Sequence, residues 1–131
     1  MNGTWLVGDP HQLVGELLVL DEPLSFWGGF DPVAGEVIDR AHPQCGESLA
    51  GKIVAMPGSK GSSGTPGVLG ESIRRGTGPA ALIVTKADVN LVAGALTAAA
   101  LYGTECPIVL VDADRFADVV RGRVEGLHLS D

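Results

Sequence analysis

The sequence predicts a single α/β domain with an additional β-rich lobe, and three observations support this fold class. The chain has 131 residues, 45% of them hydrophobic, which is enough to bury one core. Up to about residue 56, short apolar runs alternate with glycine and proline, a pattern typical of strands and turns. Beyond that point strand and helix patterns alternate, which indicates parallel strands with helices on the sheet faces. We therefore expect residues 1–131 to form one domain.

The first half contains three strand candidates. They are Leu13–Leu20, Gly35–Asp39 and Lys52–Met56. Glycine and proline residues separate them and predict the turns between them.

The second half is predicted to alternate helices with buried strands. In chain order the predicted elements are a short helix Val68–Arg75, a strand Ala80–Thr85, a helix Leu91–Tyr102, a strand Pro107–Asp112, a helix Asp114–Arg121 and a weak edge strand Val124–Leu129. Asn90 is expected to cap the central, alanine-rich helix, and Gly103 is expected to end it.

Charge and composition exclude several function classes. The net charge of −7, with only 9 lysines and arginines, argues against a nucleic-acid partner. No run approaches the roughly 20 apolar residues that span a bilayer, and the start of the chain lacks a signal-peptide pattern, so a cytoplasmic location is expected. Cys45 and Cys106 show no CxxC spacing, which predicts that this chain alone builds no zinc or iron–sulfur site. Both are expected to be reduced residues that fill the core.

The glycine- and serine-rich run Pro57–Gly64 is the strongest candidate for a site. It follows a predicted strand and precedes a predicted helix, so its backbone N–H groups and the helix N-terminus suit a carboxylate or phosphate ligand. It matches neither the Walker A motif nor the dinucleotide-binding glycine pattern. The alternative is an ordinary flexible surface loop.

A serine hydrolase is not indicated, since Gly61-Ser62-Ser63-Gly64 does not have the spacing of a nucleophile elbow. Of the three histidines, only His42, which precedes a proline in a turn, is singled out as a functional candidate.

The segment Leu24–Pro32 holds three of the six aromatic residues beside Gly28 and Gly29. Such a cluster forms a small core or an interface, while the paired glycines would also let the backbone approach a substrate. Asp31 either contributes to that site or caps a turn.

Four segments, in this order, resemble the small subunit of the aconitase X family, its swivelling domain. They are Leu24–Gly35, His42-Pro43, Pro57–Thr65 and Gly78–Ala81. The resemblance implies an aconitase-type swivelling β/β/α domain with a barrel-like β lobe. It also implies a larger partner subunit that holds the iron or iron–sulfur cofactor, with no cofactor bound by this chain.

The resemblance assigns roles to the loop. Gly61-Ser62-Ser63 matches the superfamily motif whose first serine removes the substrate proton, which makes Ser62 the expected catalytic base. Gly61, Ser63 and Gly64 would hold a substrate carboxylate or enolate through backbone N–H groups, with Lys60 in the basic position. The remaining candidates for substrate binding are Gly28, Gly29, Asp31 and His42.

Gly64 departs from aconitase itself, which has an arginine at this position for a second substrate carboxylate. A substrate with one carboxylate or a phosphate is therefore expected. The favoured activity is dehydration of cis-3-hydroxy-L-proline to Δ1-pyrroline-2-carboxylate, with Ser62 removing the Cα proton while the partner's metal polarises the C3 hydroxyl. The alternatives are a mevalonate 5-phosphate dehydratase small subunit and a non-catalytic module that binds a small anion.

Overall fold

A central sheet organises the chain, of which the computed structural model describes residues 3–122. The strands are β1 (Thr4–Val7), β2 (Leu17–Val19), β3 (Phe30–Asp31), β4 (Glu36–Val37), β5 (Ile53–Met56), β6 (Ala81–Val84) and β7 (Ile108–Leu110). The helices are α1 (Phe26–Gly29), α2 (Thr65–Arg75), α3 (Val89–Tyr102) and α4 (Ala113–Arg121).

Five strands form the sheet in the order β1-β7-β6-β5-β2. Strands β2, β5, β6 and β7 are mutually parallel, and β1 adds an antiparallel edge against β7. Every residue of β5 and β6 is buried. Both strands are covered on their two faces, which explains why they are continuous apolar runs rather than alternating ones.

The two faces of the sheet carry different helices. Val54, Met56 and Leu82 share a core with buried residues of α2 and α3, whereas Ile53 and Ile83 share a second core with α4. Because successive strand residues point to opposite faces, α2 and α3 must lie on one face and α4 on the other.

The β lobe is a hairpin that packs on the α2 side. Strands β3 and β4 pair with each other, and the rings of Phe26 and Phe30 meet edge to face at 5.1 Å within the α2 core. Within residues 3–122 the strands form this hairpin and the open sheet but no closed barrel, so the barrel-like lobe expected above is not observed. The lobe strands have only two residues each, and their one further pairing is the bridge between Glu36 and Ser48.

The predicted strands at the centre of the sheet are confirmed to within one or two residues, but the edges differ. The run Leu13–Leu20 is a strand only at β2, because Gly15 has a φ of +150° that breaks the extended chain before it. Gly35–Asp39 narrows to β4, since Gly35 turns the hairpin with a φ of +76°. Strand β1 was not predicted. Cys45 is exposed rather than buried in the core.

The helices begin earlier than predicted. The cap of α3 is Asp88 rather than Asn90, because the Asp88 side chain accepts hydrogen bonds from the N–H groups of Asn90 and Leu91. Helix α2 begins at Thr65, since Pro66 fits a first helical turn.

Helix α4 begins at Ala113, and Asp112 is its cap. Gly103 ends α3 as expected, with a φ of +68°. The predicted strand Val124–Leu129 lies outside the described residues. No helix between residues 3 and 122 is both long and apolar enough to cross a bilayer.

Candidate active site

The candidate site lies where the carboxyl ends of two neighbouring parallel strands meet. The loop 57–64 follows β5, and the turn 85–88 follows β6. Ligands of open α/β sheets bind at such an edge. Between the two connections is a cleft of about 530 Å³, lined by Ser59, Lys60, Gly61, Lys86, Ala87, Asp88, Val89 and Asn90.

Ser62 is held at the start of α2 by Thr65. The Thr65 hydroxyl accepts a hydrogen bond from the Ser62 N–H at 3.1 Å, and the two hydroxyl oxygens lie 3.3 Å apart. The Thr65 N–H in turn donates to the Ser62 carbonyl at 3.0 Å. Thr65 is fully buried, whereas Ser62 is half-buried. A hydroxyl that accepts an N–H still has one hydrogen to donate, so Thr65 can donate to a deprotonated Ser62 Oγ.

The backbone of Gly61 lies against the Asp88 side chain. A Cβ at Gly61 would stand 2.5 Å from the Asp88 carboxyl carbon, which is too close for any side chain while Asp88 stays in place. Since Asp88 caps α3, it links the start of that helix to the serine loop.

The indole of Trp27 fills the space beside Gly64. A Cβ at Gly64 would be 2.5 Å from Cδ2 and Cε3 of the indole, although the Gly64 backbone, with φ −83° and ψ −16°, would accept any residue. The lack of a side chain at Gly64 is therefore a matter of space. The structure thus brings together the aromatic segment and the glycine–serine loop, which are far apart in the sequence.

Two lysines give the cleft a positive character within an acidic chain. Lys60 and Lys86 are both exposed, and neither forms an ion pair with another described residue. The start of α2 has no side-chain cap among residues 3–122, so its first turn adds positive partial charge beside Ser62. The arrangement suits a ligand that carries a carboxylate or a phosphate.

Four residues of the site were not predicted as site residues from the sequence, namely Thr65, Lys86, Asp88 and Trp27. One signal was present for Lys86 and Asp88, since both directly follow a predicted buried strand, as the serine loop does. Carboxyl ends of adjacent parallel strands share one edge of the sheet. No local pattern marked Trp27 as a neighbour of Gly64.

Of the predicted site residues, Lys60 and Gly61 line the cleft, whereas Ser62, Ser63 and Gly64 follow them in the loop and are not part of its lining. The remaining ones make contacts within the lobe. Asp31 Oδ1 accepts the N–H groups of Val33 and Ala34, as in a capped turn. The Gly29 carbonyl accepts two backbone N–H groups from the segment after β4. Gly28 has a φ of +84° and open space where a side chain would be. Substrate contacts for these residues stay a prediction.

His42 is buried, and both of its ring nitrogens are occupied. Nδ1 accepts the Gln44 N–H at 3.0 Å, so Nε2 must carry the hydrogen that it donates to the Glu22 carbonyl, also at 3.0 Å. These bonds join two loops of the lobe through a neutral histidine. A substrate-binding role for His42 remains a prediction.

The described residues do not fit a metal. Within residues 3–122, no three histidine, cysteine, aspartate or glutamate side chains lie close enough to bind one. Burial raises the pKa of the Cys106 thiol to about 12, which keeps it protonated and unreactive.

Comparisons with known proteins identify the family of the chain. The family model for the aconitase X swivel domain matches residues 1–127. A cis-3-hydroxy-L-proline dehydratase of Pseudomonas aeruginosa is 44% identical over 105 residues, which is 80% of this chain and 18% of that protein. A phosphomevalonate dehydratase small subunit of Methanopyrus kandleri is 47% identical over 79 residues, which is 60% of this chain and 58% of that subunit.

The fold is similar to a solved structure as well. The crystal structure of Thermococcus kodakaraensis aconitase X in its holo-form matches with a TM-score of 0.72 and 33% identity, over 82% of this chain and 76% of that one. The chain thus spans less than a fifth of the P. aeruginosa dehydratase and under two thirds of the M. kandleri subunit.

Proposed function

The chain belongs to the aconitase X swivel-domain family, and from this membership we propose that it is the small component of a dehydratase that acts on cis-3-hydroxy-L-proline. A larger aconitase X subunit or domain would complete the enzyme. The sequence identity of 44%, over 80% of this chain, to a protein named cis-3-hydroxy-L-proline dehydratase supports this choice of substrate.

The observation that carries the proposal is the position of Ser62. Its hydroxyl stands at the uncapped start of α2, beside a fully buried threonine that is free to donate a hydrogen bond to it. Positive partial charge and a hydrogen-bond donor both lower the free energy of an alkoxide relative to the neutral hydroxyl. Ser62 is thus suited to accept a proton from a substrate carbon.

The reaction has a simple proton and electron balance. Ser62 Oγ, as the alkoxide, takes the Cα proton, and the electron pair of the Cα–H bond forms the Cα–C3 double bond as the C3 hydroxyl departs. The proton that Ser62 has accepted and the departing hydroxide together form one molecule of water, which restores the alkoxide, and the enamine tautomerises to Δ1-pyrroline-2-carboxylate. Lys60, Lys86 and the backbone N–H groups of the loop bind and neutralise the substrate carboxylate.

The departure of the hydroxyl is assigned to the larger component. The resemblance implies iron or an iron–sulfur cluster there, and the described residues of this chain do not fit such a group.

The contact between Trp27 and Gly64 supports a substrate with a single carboxylate. In aconitase an arginine at the position of Gly64 binds a further carboxylate, and here the indole occupies the space that its side chain would need. Citrate-like substrates would lack that bidentate partner.

A second candidate substrate is mevalonate 5-phosphate. The paired lysines of the cleft favour it, because two ammonium groups suit a doubly charged phosphate, and the M. kandleri relative is named for that activity. Assays of the assembled enzyme with both substrates separate the two candidates.

The test of the base is Ser62→Ala in the complete assembly with the larger component. We expect kcat to fall by at least about 100-fold, the usual consequence of losing a general base. The steady-state rate of Δ1-pyrroline-2-carboxylate formation measures it.

Ser48→Ala is the matched control, since Ser48 lies in the β lobe and, among residues 3–122, its hydroxyl accepts only the Ala50 N–H at 3.2 Å. Turnover should be unchanged in that variant. Near-normal turnover of Ser62→Ala would rule out the proposed base. Weaker anion binding by Ser62→Ala, in an assembly that turns over neither substrate, would favour the non-catalytic module.

A further inference from the structure

Helix α3 has an apolar surface that this chain does not cover. Its fourteen residues include no charged side chain. Leu91, Gly94, Ala95 and Ala98 are buried against the core, but Val89 is 80% exposed and Leu96 52% exposed. A helix that is apolar all around is normally covered on every side.

The exposed side of α3 forms a continuous apolar groove, which we call the α3 groove. Its volume is about 370 Å³, and its lining includes Leu6, Ala87, Val89, Val92, Ala93 and Leu96. Single exposed apolar side chains are common on protein surfaces, whereas a contiguous apolar groove indicates an interaction site.

The α3 groove is continuous with the candidate active site. Ala87, Asp88 and Val89 line both the groove and the lysine cleft. A partner that covers the groove would therefore also close the cleft next to Ser62 and exclude water from it.

We propose that the α3 groove is the surface on which the larger aconitase X subunit or domain docks, an inference that rests on the proposed function. The relatives indicate that such an occupant exists. The P. aeruginosa dehydratase joins its matching segment to a remainder that makes up most of its length, and the M. kandleri relative is named a small subunit. A second copy of this chain is a poorer occupant, because each copy carries a net charge of −7 and the two would repel.

The test uses this chain and the larger aconitase X chain of the same organism, produced separately, with the Kd of their complex measured by calorimetry. We expect Val89→Asp/Leu96→Asp to raise the Kd at least about 100-fold, because two carboxylates would be buried without partners. Val14→Asp is the matched control, since Val14 is 79% exposed on another part of the surface and does not line the groove. Its Kd should stay within about threefold of the parent value. Circular dichroism and thermal melting must show that each variant is folded.

An unchanged Kd for the double variant would overturn the proposal. So would a dimer of this chain, seen by sedimentation, that the same two substitutions dissociate while complex formation is unaffected. Ser62→Ala keeps this test separate from the proposed function, because it should bind the larger chain normally and lose only turnover. Loss of turnover in Ser62→Ala together with normal binding by Val89→Asp/Leu96→Asp would remove the docking surface and leave the base assignment intact.

Discussion

Helices α2 and α3 lie side by side on one face of the sheet, but their first turns differ. Asp88 closes the start of α3 with its own carboxylate. The start of α2 has no side-chain cap among the described residues and instead presents Ser62, held by Thr65. The first turn of α3 thus has a side-chain acceptor, whereas in the first turn of α2 the Thr65 N–H is bonded to the Ser62 carbonyl and no side chain of the described residues accepts from the turn.

The outward surfaces of the two helices differ as well. On α2, Glu71 binds Arg74 and Arg75 in an exposed charged cluster, whereas α3 exposes Val89 and Leu96. A charged surface is stable in water, and an apolar one is stabilised by a partner. Helix α2 thus has a surface suited to solvent beside the proposed base, whereas α3 carries the surface on which we propose that the larger component docks.

The two helices pack closely against each other at Gly94. A Cβ there would be 3.1 Å from the Pro66 Cα, so glycine lets α3 approach the first turn of α2. This approach brings Asp88 next to Gly61 and forms the cleft between the two helix starts.

Among the substitutions that test the difference between the two helix starts, Gly64→Ala at the start of α2 is expected to have the largest effect. In Gly64→Ala the new Cβ requires Trp27 or the first turn of α2 to move, and a displacement of that size lowers turnover by about 10- to 100-fold. The kcat of the assembled enzyme measures the effect.

Gly67→Ala is the matched control, because it lies in the same turn of α2 and has no atom within 4 Å of its added Cβ. Its turnover should match the parent. The double variant Trp27→Ala/Gly64→Ala should recover most of the activity if the indole is the obstacle. Full activity of Gly64→Ala alone would show that Trp27 moves aside without consequence for Ser62.

A smaller effect is expected from removing the cap of α3. Asp88→Ala should lower the free energy of unfolding by about 1 kcal/mol, since two N–H groups lose their acceptor. It should also reduce turnover, because the carboxylate that lies against Gly61 is gone. Chemical denaturation and steady-state kinetics measure the two effects.

Asp112→Ala removes the equivalent cap of α4, on the other face of the sheet, and should cost a similar free energy without affecting turnover. Equal losses of turnover in both variants would contradict a specific link between the α3 cap and the serine loop.

The smallest effect concerns the charged surface of α2. Hydrogen bonds from Arg74, which has the larger effect, and from Arg75 lower the pKa of Glu71 from its ordinary value of 4.5 to about 2. Because the folded-state pKa is lowered, the stabilisation is present above the ordinary pKa and is lost as the pH falls through about 2. Carboxyl NMR titration should find Glu71 still ionised at about pH 3.5. Arg74→Gln/Arg75→Gln should return its pKa toward 4.5, and an unchanged midpoint in that variant would disprove the assigned cause.

Much of the fold could be predicted because the central strands are continuous apolar runs. The strands Ile53–Met56 and Ala81–Val84 are such runs, and burial on both faces requires them to be so. The strands at the edges of the sheet were harder to predict. Strand β1 has only four residues, and its pairing with β7 depends on segments about a hundred residues apart, which no local pattern records.

The central strands and the serine loop between a strand and a helix could be inferred from the sequence, because each is a contiguous segment, and the family could be inferred from the order of four such segments. The surroundings of Ser62 depend on tertiary packing. Trp27 contacts Gly64 because the lobe packs on α2, and Asp88 contacts Gly61 because α3 packs on α2. The residues of each pair are far apart in the sequence, so no local pattern predicts these contacts. The same packing determines which side of α3 is exposed. The apolar residues of α3 lie all around the helix, so the spacing of these residues in the sequence does not predict which side is buried.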